Sequence, residues 1–190
     1  MLSAKFRRYS DLIVVPMGEA VAKTGVSPNV LTLAGLLLSM AAAGAFAYGN
    51  LVYALILLAL ASLSDVLDGA VAKARGKVTE FGGYLDSLTD RYADTFILIG
   101  IAMYLNQHYI LIMVVIVGSI LVSYSRARAE MIINKCDVGL AERSERLIVI
   151  MVATLLAIMG VNRFYEAMVL LAVITHLTVL QRVLYTRKKI

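Results

Sequence analysis

Residues 65–94 read DVLDGAVAKARGKVTEFGGYLDSLTDRYAD, a polar segment between two apolar runs that are each long enough to cross a bilayer. If the flanking runs are helices, Asp65 and Asp68 share one helical face, because their spacing is i,i+3. Asp86, Asp90 and Asp94 share another at i,i+4 spacing. Carboxylates at membrane depth are costly unless they bind a cation or face a wet cavity. The segment therefore predicts a metal site at one end of two adjacent helices.

The composition of the whole chain indicates a membrane protein. Of the 190 residues, 61% are hydrophobic and 16% are charged, whereas apolar usage in soluble domains averages roughly 45–50%. We therefore expect an all-α integral membrane protein that forms a single domain over residues 1–190. The net charge of +5 would suggest nucleic acid in a soluble protein. In a membrane protein, this charge is explained by basic residues concentrated in the loops on one side and by anionic partners. No nucleic-acid partner is therefore expected.

Six apolar runs predict six transmembrane helices within about residues 28–185. The runs cover residues 30–48, 51–63, 83–104, 109–124, 147–159 and 165–184. Ser27 is the predicted N-cap of the first helix, with Pro28 at its first position. Small residues such as Gly35 and Gly44 favour close helix packing. Residues 2–23 mix basic and apolar side chains, which predicts an amphipathic helix at the membrane interface.

The distribution of basic residues predicts the orientation of these six helices. Six spans place both termini, the acidic segment and residues 126–146 on the same side of the membrane. All 18 basic residues except Arg163 then lie on that side. The positive-inside rule assigns this side to the cytosol. We expect a multi-pass protein of the cell membrane whose active site and both termini are cytosolic.

The acidic segment has the chemistry of a site for a hard cation. Carboxylate oxygens with neither His nor Cys nearby suit Mg²⁺, Mn²⁺ or Ca²⁺ better than zinc. Gly69, Ala72, Gly82 and Gly83 lie beside the aspartates, where small residues let a phosphate-bearing ligand approach the backbone. A divalent ion bridging phosphate oxygens, with a further carboxylate as base, is an arrangement for phosphoryl transfer.

These residues resemble the signature of the CDP-alcohol phosphotransferase family, D-x-x-D-G-x-x-A-R followed after eight residues by G-x-x-x-D-x-x-x-D. The matching positions are Asp65, Asp68, Gly69, Ala72, Lys73, Gly82, Asp86 and Asp90. Lys73 stands where the family usually has Arg, and the two are not interchangeable at a bidentate phosphate contact. Arg75 is the alternative residue for that contact. The resemblance extends to Pro28, Asn29 and Thr32 at the start of the first span, and to the six spans.

The resemblance implies a role for each signature residue. Asp65, Asp68 and Asp86 would hold Mg²⁺ or Mn²⁺, with two ions expected, on the diphosphate of a CDP-lipid. Asp90 would be the catalytic base that takes the proton of the acceptor hydroxyl, and a further metal ligand. The nucleotide-binding residues would be Thr32, Asp65, Asp68, Gly69, Ala72, Gly82 and either Lys73 or Arg75. Asp94 lies outside the signature and is expected to cap or support its neighbours.

Five arginines on the predicted cytosolic side suit a phosphate group on the acceptor, because the guanidinium fork binds phosphate in two places. They are Arg126, Arg128, Arg143, Arg146 and Arg182. The alternative for each is a membrane-edge anchor or a salt bridge to a nearby glutamate. The strings SYSRARAE (residues 123–130) and GLAERSERL (residues 139–147) resemble the branch of the family that uses inositol 1-phosphate. This resemblance implies that Arg126, Arg143 and Arg182 grip the acceptor phosphate.

The function implied by the resemblance is phospholipid synthesis. A phosphatidyl or archaetidyl group would pass from CDP-diacylglycerol or CDP-archaeol to a hydroxyl of inositol 1-phosphate, releasing CMP. A homodimer in contact with membrane lipid is also implied. One alternative is a sister synthase that uses glycerol 3-phosphate or, less readily, serine. Another is a divalent-cation channel or transporter, which predicts acidic residues spread along the spans, whereas these cluster at one end of two helices.

Overall fold

The computed structural model describes residues 14–190, which form seven α-helices; five of the connections have three to five residues, and the one between α5 and α6 covers residues 131–142. The first helix, α1, covers residues 14–23 within this range. The others are α2 (Pro28–Ala47), α3 (Leu51–Ala74), α4 (Glu80–Leu105), α5 (Tyr109–Glu130), α6 (Arg143–Ile158) and α7 (Phe164–Lys189). The predicted interfacial helix over residues 2–23 falls largely outside the described residues, so it stays a prediction.

Helices α2 to α7 coincide with the six predicted apolar runs, and several of them are longer than the runs. α3 continues through Asp65 and Asp68 to Ala74, and α7 continues to Lys189. Apolar runs indicate which residues contact lipid or core, whereas helical hydrogen bonding continues through polar residues of good helix propensity such as Ala and Lys. The acidic segment is therefore mostly helical, with a connection over residues 75–79.

Four helices within the described residues are long and apolar enough to cross a membrane: α2, α3, α5 and α7. α4 has 26 residues, but Asp86, Asp90, Arg91 and Asp94 make its first half polar. α6 has 16 residues. The structure confirms the predicted all-helical fold. Its described residues contain four candidate spans, and the predicted count of six spans remains a prediction.

The ends of α2 and α3 follow signals that are visible in the sequence. Ser27 Oγ accepts a hydrogen bond from the Val30 amide at 3.4 Å, so Ser27 caps α2 with Pro28 at its first position. After α3, Gly76 adopts the left-handed conformation with φ of 59°. The amides of Gly76 and Lys77 bond back to carbonyls in the last turn of α3. Glycine suits this stop because a side chain would strain it.

The chain divides into two compact units. The first contains the described residues up to Ala41 together with Ile56–Ala93, and the second contains Ala42–Leu55 and Asp94–Ile190. In the first unit, Ser64 Oγ on α3 donates a hydrogen bond to the Leu31 carbonyl on α2 at 2.9 Å. A Cβ added at Gly35 would lie 3.5 Å from Ser64 Cβ, so α2 and α3 are in close contact here.

The second unit packs α7 against α5 and α6. Phe164 at the start of α7 is fully buried, and its ring lies edge-on to Phe46 and Tyr104 at centroid distances of 6.0 and 5.3 Å. Edge-to-face aromatic pairs at such distances are favourable beyond the area they bury. Gly118 allows α5 to approach α7, since a Cβ there would overlap the side chain of Thr175. Small residues thus set the helix spacing in this unit.

Gly100 on α4 provides a stability test of this close packing. A Cβ added there would lie 2.7 Å from Ala43 Cα and 2.9 Å from its carbonyl carbon, whereas a Cβ at Gly44 meets nothing within 4 Å. We expect Gly100→Ala to lower the free energy of unfolding by about 1–3 kcal/mol, because the added methyl group would overlap backbone atoms of Ala43, which must then move. Gly44→Ala should be neutral or slightly stabilising, because Ala favours helix. Thermal unfolding in detergent checks both variants, and equal losses would contradict the close approach at Gly100.

Candidate active site

Three aspartates of the first unit form a cluster of carboxylates. Asp65 comes from α3, and Asp86 and Asp90 come from successive turns of α4. One carboxylate oxygen of each lies within 4.8 Å of the other two, and all three residues are half-buried. Negative groups at this spacing repel each other, and a cation between them would offset the repulsion. Oxygen donors alone fit Mg²⁺ or Mn²⁺. The structure thus brings together three of the four predicted metal ligands.

Asp68, the fourth predicted ligand, lies outside this cluster of three. Its side chain is buried, and Oδ2 accepts a hydrogen bond from Thr32 Oγ1 at 2.5 Å. The Thr32 hydroxyl also lies 3.1 Å from the Pro28 carbonyl in the first turn of α2. Thr32, predicted to bind nucleotide, therefore holds the Asp68 carboxylate against α2.

The two candidate cations for the nucleotide have different surroundings. Arg75 Nη1 donates hydrogen bonds to the carbonyls of Gly25 and Val26, at 2.9 and 2.7 Å. This guanidinium therefore holds the turn between α1 and α2. Lys73, in the last turn of α3, is exposed. Arg75 is thus already engaged with backbone carbonyls, and which of the two cations contacts a nucleotide phosphate stays a prediction.

The small residues of the signature differ in how much space surrounds them. Gly69 is exposed, and a Cβ added to it would meet nothing within 4 Å. Ala72 is half-buried one turn later on α3. A Cβ at Gly82 would lie 3.0 Å from Thr79 Oγ1, the atom that caps the Gly82 amide. These positions are compatible with the predicted nucleotide contacts, which the structure leaves as predictions.

In the second unit, Glu142 forms salt bridges with two of the arginines predicted to bind the acceptor phosphate. Its Oε1 lies 3.5 Å from Arg126 Nη1 and 4.0 Å from Arg182 Nη2. Arg126 also pairs with Glu130 at 3.1 Å and with Asp137 at 3.3 Å. The salt-bridge alternative considered for this arginine is therefore present, and an anion binding there competes with three carboxylates.

Asp94 organises the other pair of arginines. Its Oδ1 accepts a hydrogen bond from Arg143 Nε at 3.2 Å, and Oδ2 accepts one from Arg146 Nη2 at 2.5 Å. Arg146 is buried and donates a further hydrogen bond to the Ala141 carbonyl at 3.0 Å. Arg143 is more exposed than Arg146, with side-chain exposures of 21% and 6%. Arg143 is thus the member of the pair that an incoming anion can reach.

The two remaining arginines differ in burial. Arg182 is 2% exposed, its Nε donates to the Val138 carbonyl at 2.8 Å, and its Nη1 donates to the Val122 carbonyl. Arg128 is exposed, and its Nη1 lies 3.2 Å from Met131 Sδ. Four of the five arginines therefore contact either Glu142 or Asp94, whereas Arg128 contacts Met131.

Sequence reasoning missed part of what organises the arginines. The position of Asp94 outside the signature indicated a capping or supporting role, but not its two arginine partners. Glu142 is one of the nearby glutamates that the salt-bridge alternative covers, and its position directly before Arg143 is a signal that could have singled it out. Thr178, which contacts the residues before α6, lies in an apolar run without any such signal.

Residues 25–181 match the model of a known family, CDP-alcohol phosphatidyltransferase. The match covers more than half of the chain, and this protein belongs to that family. The resemblance inferred from the aspartate signature is therefore confirmed.

Similar proteins add detail within the family. The archaetidylinositol phosphate synthase of Pyrococcus horikoshii is 39% identical over 92% of this chain and 90% of its own length. The phosphatidylinositol phosphate synthase of Corynebacterium glutamicum is 35% identical over 99% of this chain and 90% of its own.

A solved structure has the same fold over nearly all of the chain. The phosphatidylinositol phosphate synthase PgsA1 of Mycobacterium tuberculosis with CDP-DAG bound has a TM-score of 0.79 and 31% identity, covering 92% of this chain and 93% of that one. The same enzyme in complex with manganese and citrate has a TM-score of 0.78 and 32% identity, over 91% and 88%.

Proposed function

We propose that this protein transfers the phosphatidyl or archaetidyl group of a CDP-lipid to inositol 1-phosphate and releases CMP. The observation that supports this most directly is the cluster of Asp65, Asp86 and Asp90 carboxylates in a chain of this family. Relatives named as synthases of archaetidylinositol phosphate and of phosphatidylinositol phosphate support the choice of inositol 1-phosphate as acceptor. Membership of the family argues against the channel or transporter.

The aspartates would hold Mg²⁺ or Mn²⁺, and the solved structure of PgsA1 in complex with manganese and citrate supports this class of ion. We assign Asp65, Asp86 and Asp90 as ligands, together with Asp68 through Oδ1, the oxygen that Thr32 does not contact. This donor set is compatible with two ions. When bound, a divalent ion neutralises charge on the diphosphate and on the departing CMP.

The transfer itself needs one proton acceptor. A hydroxyl oxygen of the acceptor forms a bond to the β-phosphorus while the bond from that phosphorus to the CMP oxygen breaks. Asp90 takes the hydroxyl proton, and the electron pair of the broken bond leaves with CMP.

The nucleotide would contact Thr32, Gly69, Ala72 and Gly82, with Lys73 as the cation because Arg75 holds a turn.

The arginines would bind the phosphate of inositol 1-phosphate. Arg143 is half-buried and held by Asp94, so its guanidinium is oriented before the acceptor arrives. Preorganised arginine forks bind phosphate strongly because little side-chain freedom is lost. We assign Arg126 and Arg182 to the same phosphate, with Arg146 and Arg128 as supporting cations.

In the membrane, we propose six spans, with α4 and α6 added to the four candidate spans. The distribution of basic residues supports cytosolic termini and a cytosolic active site, because only Arg163 lies on the other side. We also propose that the protein forms a homodimer.

Release of CMP by the purified protein tests the proposed function. The assay supplies Mg²⁺ with CDP-diacylglycerol or CDP-archaeol, and compares inositol 1-phosphate, inositol, glycerol 3-phosphate and serine. We expect turnover with inositol 1-phosphate, loss of that turnover with EDTA, and recovery with Mg²⁺ or Mn²⁺. Turnover with glycerol 3-phosphate alone would reassign the acceptor, and no turnover with any acceptor in either lipid class would contradict the proposal.

A further inference from the structure

The segment 138–141, directly before α6, is held by side chains rather than by regular backbone pairing. The Val138 carbonyl accepts a hydrogen bond from Arg182 Nε at 2.8 Å. The Leu140 and Ala141 amides both donate to Thr178 Oγ1 at 3.0 Å. The Ala141 carbonyl accepts from Arg146 Nη1. A backbone segment needs such partners when it is buried, and Ala141 is fully buried.

Thr178 uses the whole hydrogen-bonding capacity of its hydroxyl. A hydroxyl has one donor hydrogen and two acceptor lone pairs. The hydrogen goes to the Ile174 carbonyl at 2.7 Å, within α7, and the lone pairs accept the Leu140 and Ala141 amides. Thr178 is 0% exposed, so its hydroxyl is out of contact with solvent.

Gly139 permits the close approach that these hydrogen bonds require. Its φ is 142°, a conformation that L residues rarely adopt. A Cβ added there would lie 2.6 Å from Thr178 Cγ2 and 3.4 Å from Arg182 Nη2. Thr178 and Arg182 are one helical turn apart on α7 and therefore face the segment together. Segment and helix are complementary in both shape and hydrogen bonding.

We infer that Thr178 is a positioning residue for acceptor binding, acting through the segment 138–141 on Glu142 and Arg143 at the start of α6. This inference rests on the proposed function, because the arginine matters only if it binds the acceptor phosphate. Glu142 contacts Arg126, and Arg143 contacts Asp94. A displacement of the preceding backbone therefore shifts both contacts together, and small displacements of a binding group have large effects on its substrate.

Thr178→Val tests this role because valine keeps the shape of threonine and removes the hydroxyl. We expect the KM for inositol 1-phosphate to rise roughly tenfold or more while the KM for CDP-lipid changes less than about twofold. Hydrogen–deuterium exchange of the peptide covering residues 138–142 should become faster, because two amides lose their acceptor. Thr178→Ser keeps the hydroxyl and should restore both measurements toward the wild type.

Thr154→Val is the matched control. Thr154 is also 0% exposed, and its hydroxyl donates to the Ile150 carbonyl one turn back on its own helix. We expect normal KM values and normal exchange of residues 138–142. If Thr178→Val unfolds the protein, Thr178→Ala, which removes the hydroxyl without adding bulk, takes its place.

Three results would overturn the inference: faster exchange without any change in the acceptor KM, equal changes in both KM values, or the same behaviour in Thr154→Val. A failure of the proposed function is distinct, since it is seen in the wild-type protein as absent turnover with inositol 1-phosphate, whereas the exchange measurement still reports how the segment is held. If glycerol 3-phosphate proves to be the acceptor, the same comparison with that substrate decides the role of Thr178.

Discussion

Asp90→Asn is expected to reduce CMP release by about 10³-fold or more, because asparagine cannot accept the proton of the acceptor hydroxyl. Asparagine has nearly the same size and retains one oxygen, so the packing around α4 should persist. Asp65 and Asp86, which share the cluster with Asp90, remain to hold the cation. We therefore expect CDP-lipid binding to fall far less than turnover. Single-turnover CMP release and a separate CDP-lipid binding measurement check this.

Glu80→Gln is the matched control for Asp90→Asn. Glu80 is an exposed carboxylate in the first turn of α4, the helix that also contains Asp90. This variant should keep normal turnover. Titration with Mn²⁺, followed by electron paramagnetic resonance, then separates the two roles assigned to Asp90. Loss of metal binding in Asp90→Asn would make ligation its main role, and retained turnover would remove Asp90 as the base.

Arg143→Ala is expected to raise the KM for inositol 1-phosphate by about 10- to 100-fold and to leave the KM for CDP-lipid nearly unchanged. The expected size follows from the loss of one charge-assisted, forked contact to phosphate. Arg143→Lys should fall between the wild type and the alanine variant, because lysine keeps the charge but lacks the fork. Initial rates with each substrate varied in turn give both KM values.

Arg163→Ala is the control for a general effect of lost positive charge. Arg163 is exposed, and its Nη1 pairs with Glu166 at 2.6 Å at the start of α7. Surface pairs of this kind contribute little to stability, so normal kinetics are expected. If Arg143→Ala changed the KM of both substrates equally, the arginine would act by maintaining structure through Asp94 rather than by binding the acceptor.

Much of the fold could be predicted because its signals are local. The proline and serine at the start of α2 and the apolar runs each depend on a few neighbouring residues. The helix ends were harder to predict, since α3 and α7 extend well past their apolar runs. Hydropathy reports contact with lipid or core, and a helix does not need to end where that contact ends.

The sequence predicts a cluster of carboxylates at the candidate site, but only partly which carboxylates lie together. Asp65, Asp86 and Asp90 meet as the spacing predicted. Asp68 has the same spacing signal, yet it faces Thr32 and lies outside the cluster. Three positions on one helix leave two side chains about 60° apart on the same face, so the spacing does not separate them, and the contacts of α3 with α2 decide which carboxylate faces which partner.

The amino-acid sequence alone identifies an all-helical protein of the CDP-alcohol phosphatidyltransferase family, because apolar runs and the spacing of the aspartate signature are properties of nearby residues. The contacts between polar side chains of different helices are visible only in the folded structure. These contacts depend on how each helix is rotated and how deeply it lies in the fold, and both are set by packing contacts elsewhere in the chain. The contacts decided in this way are Thr32 with Asp68, Arg75 with the turn before α2, Asp94 with Arg143 and Arg146, and Thr178 with the segment 138–141.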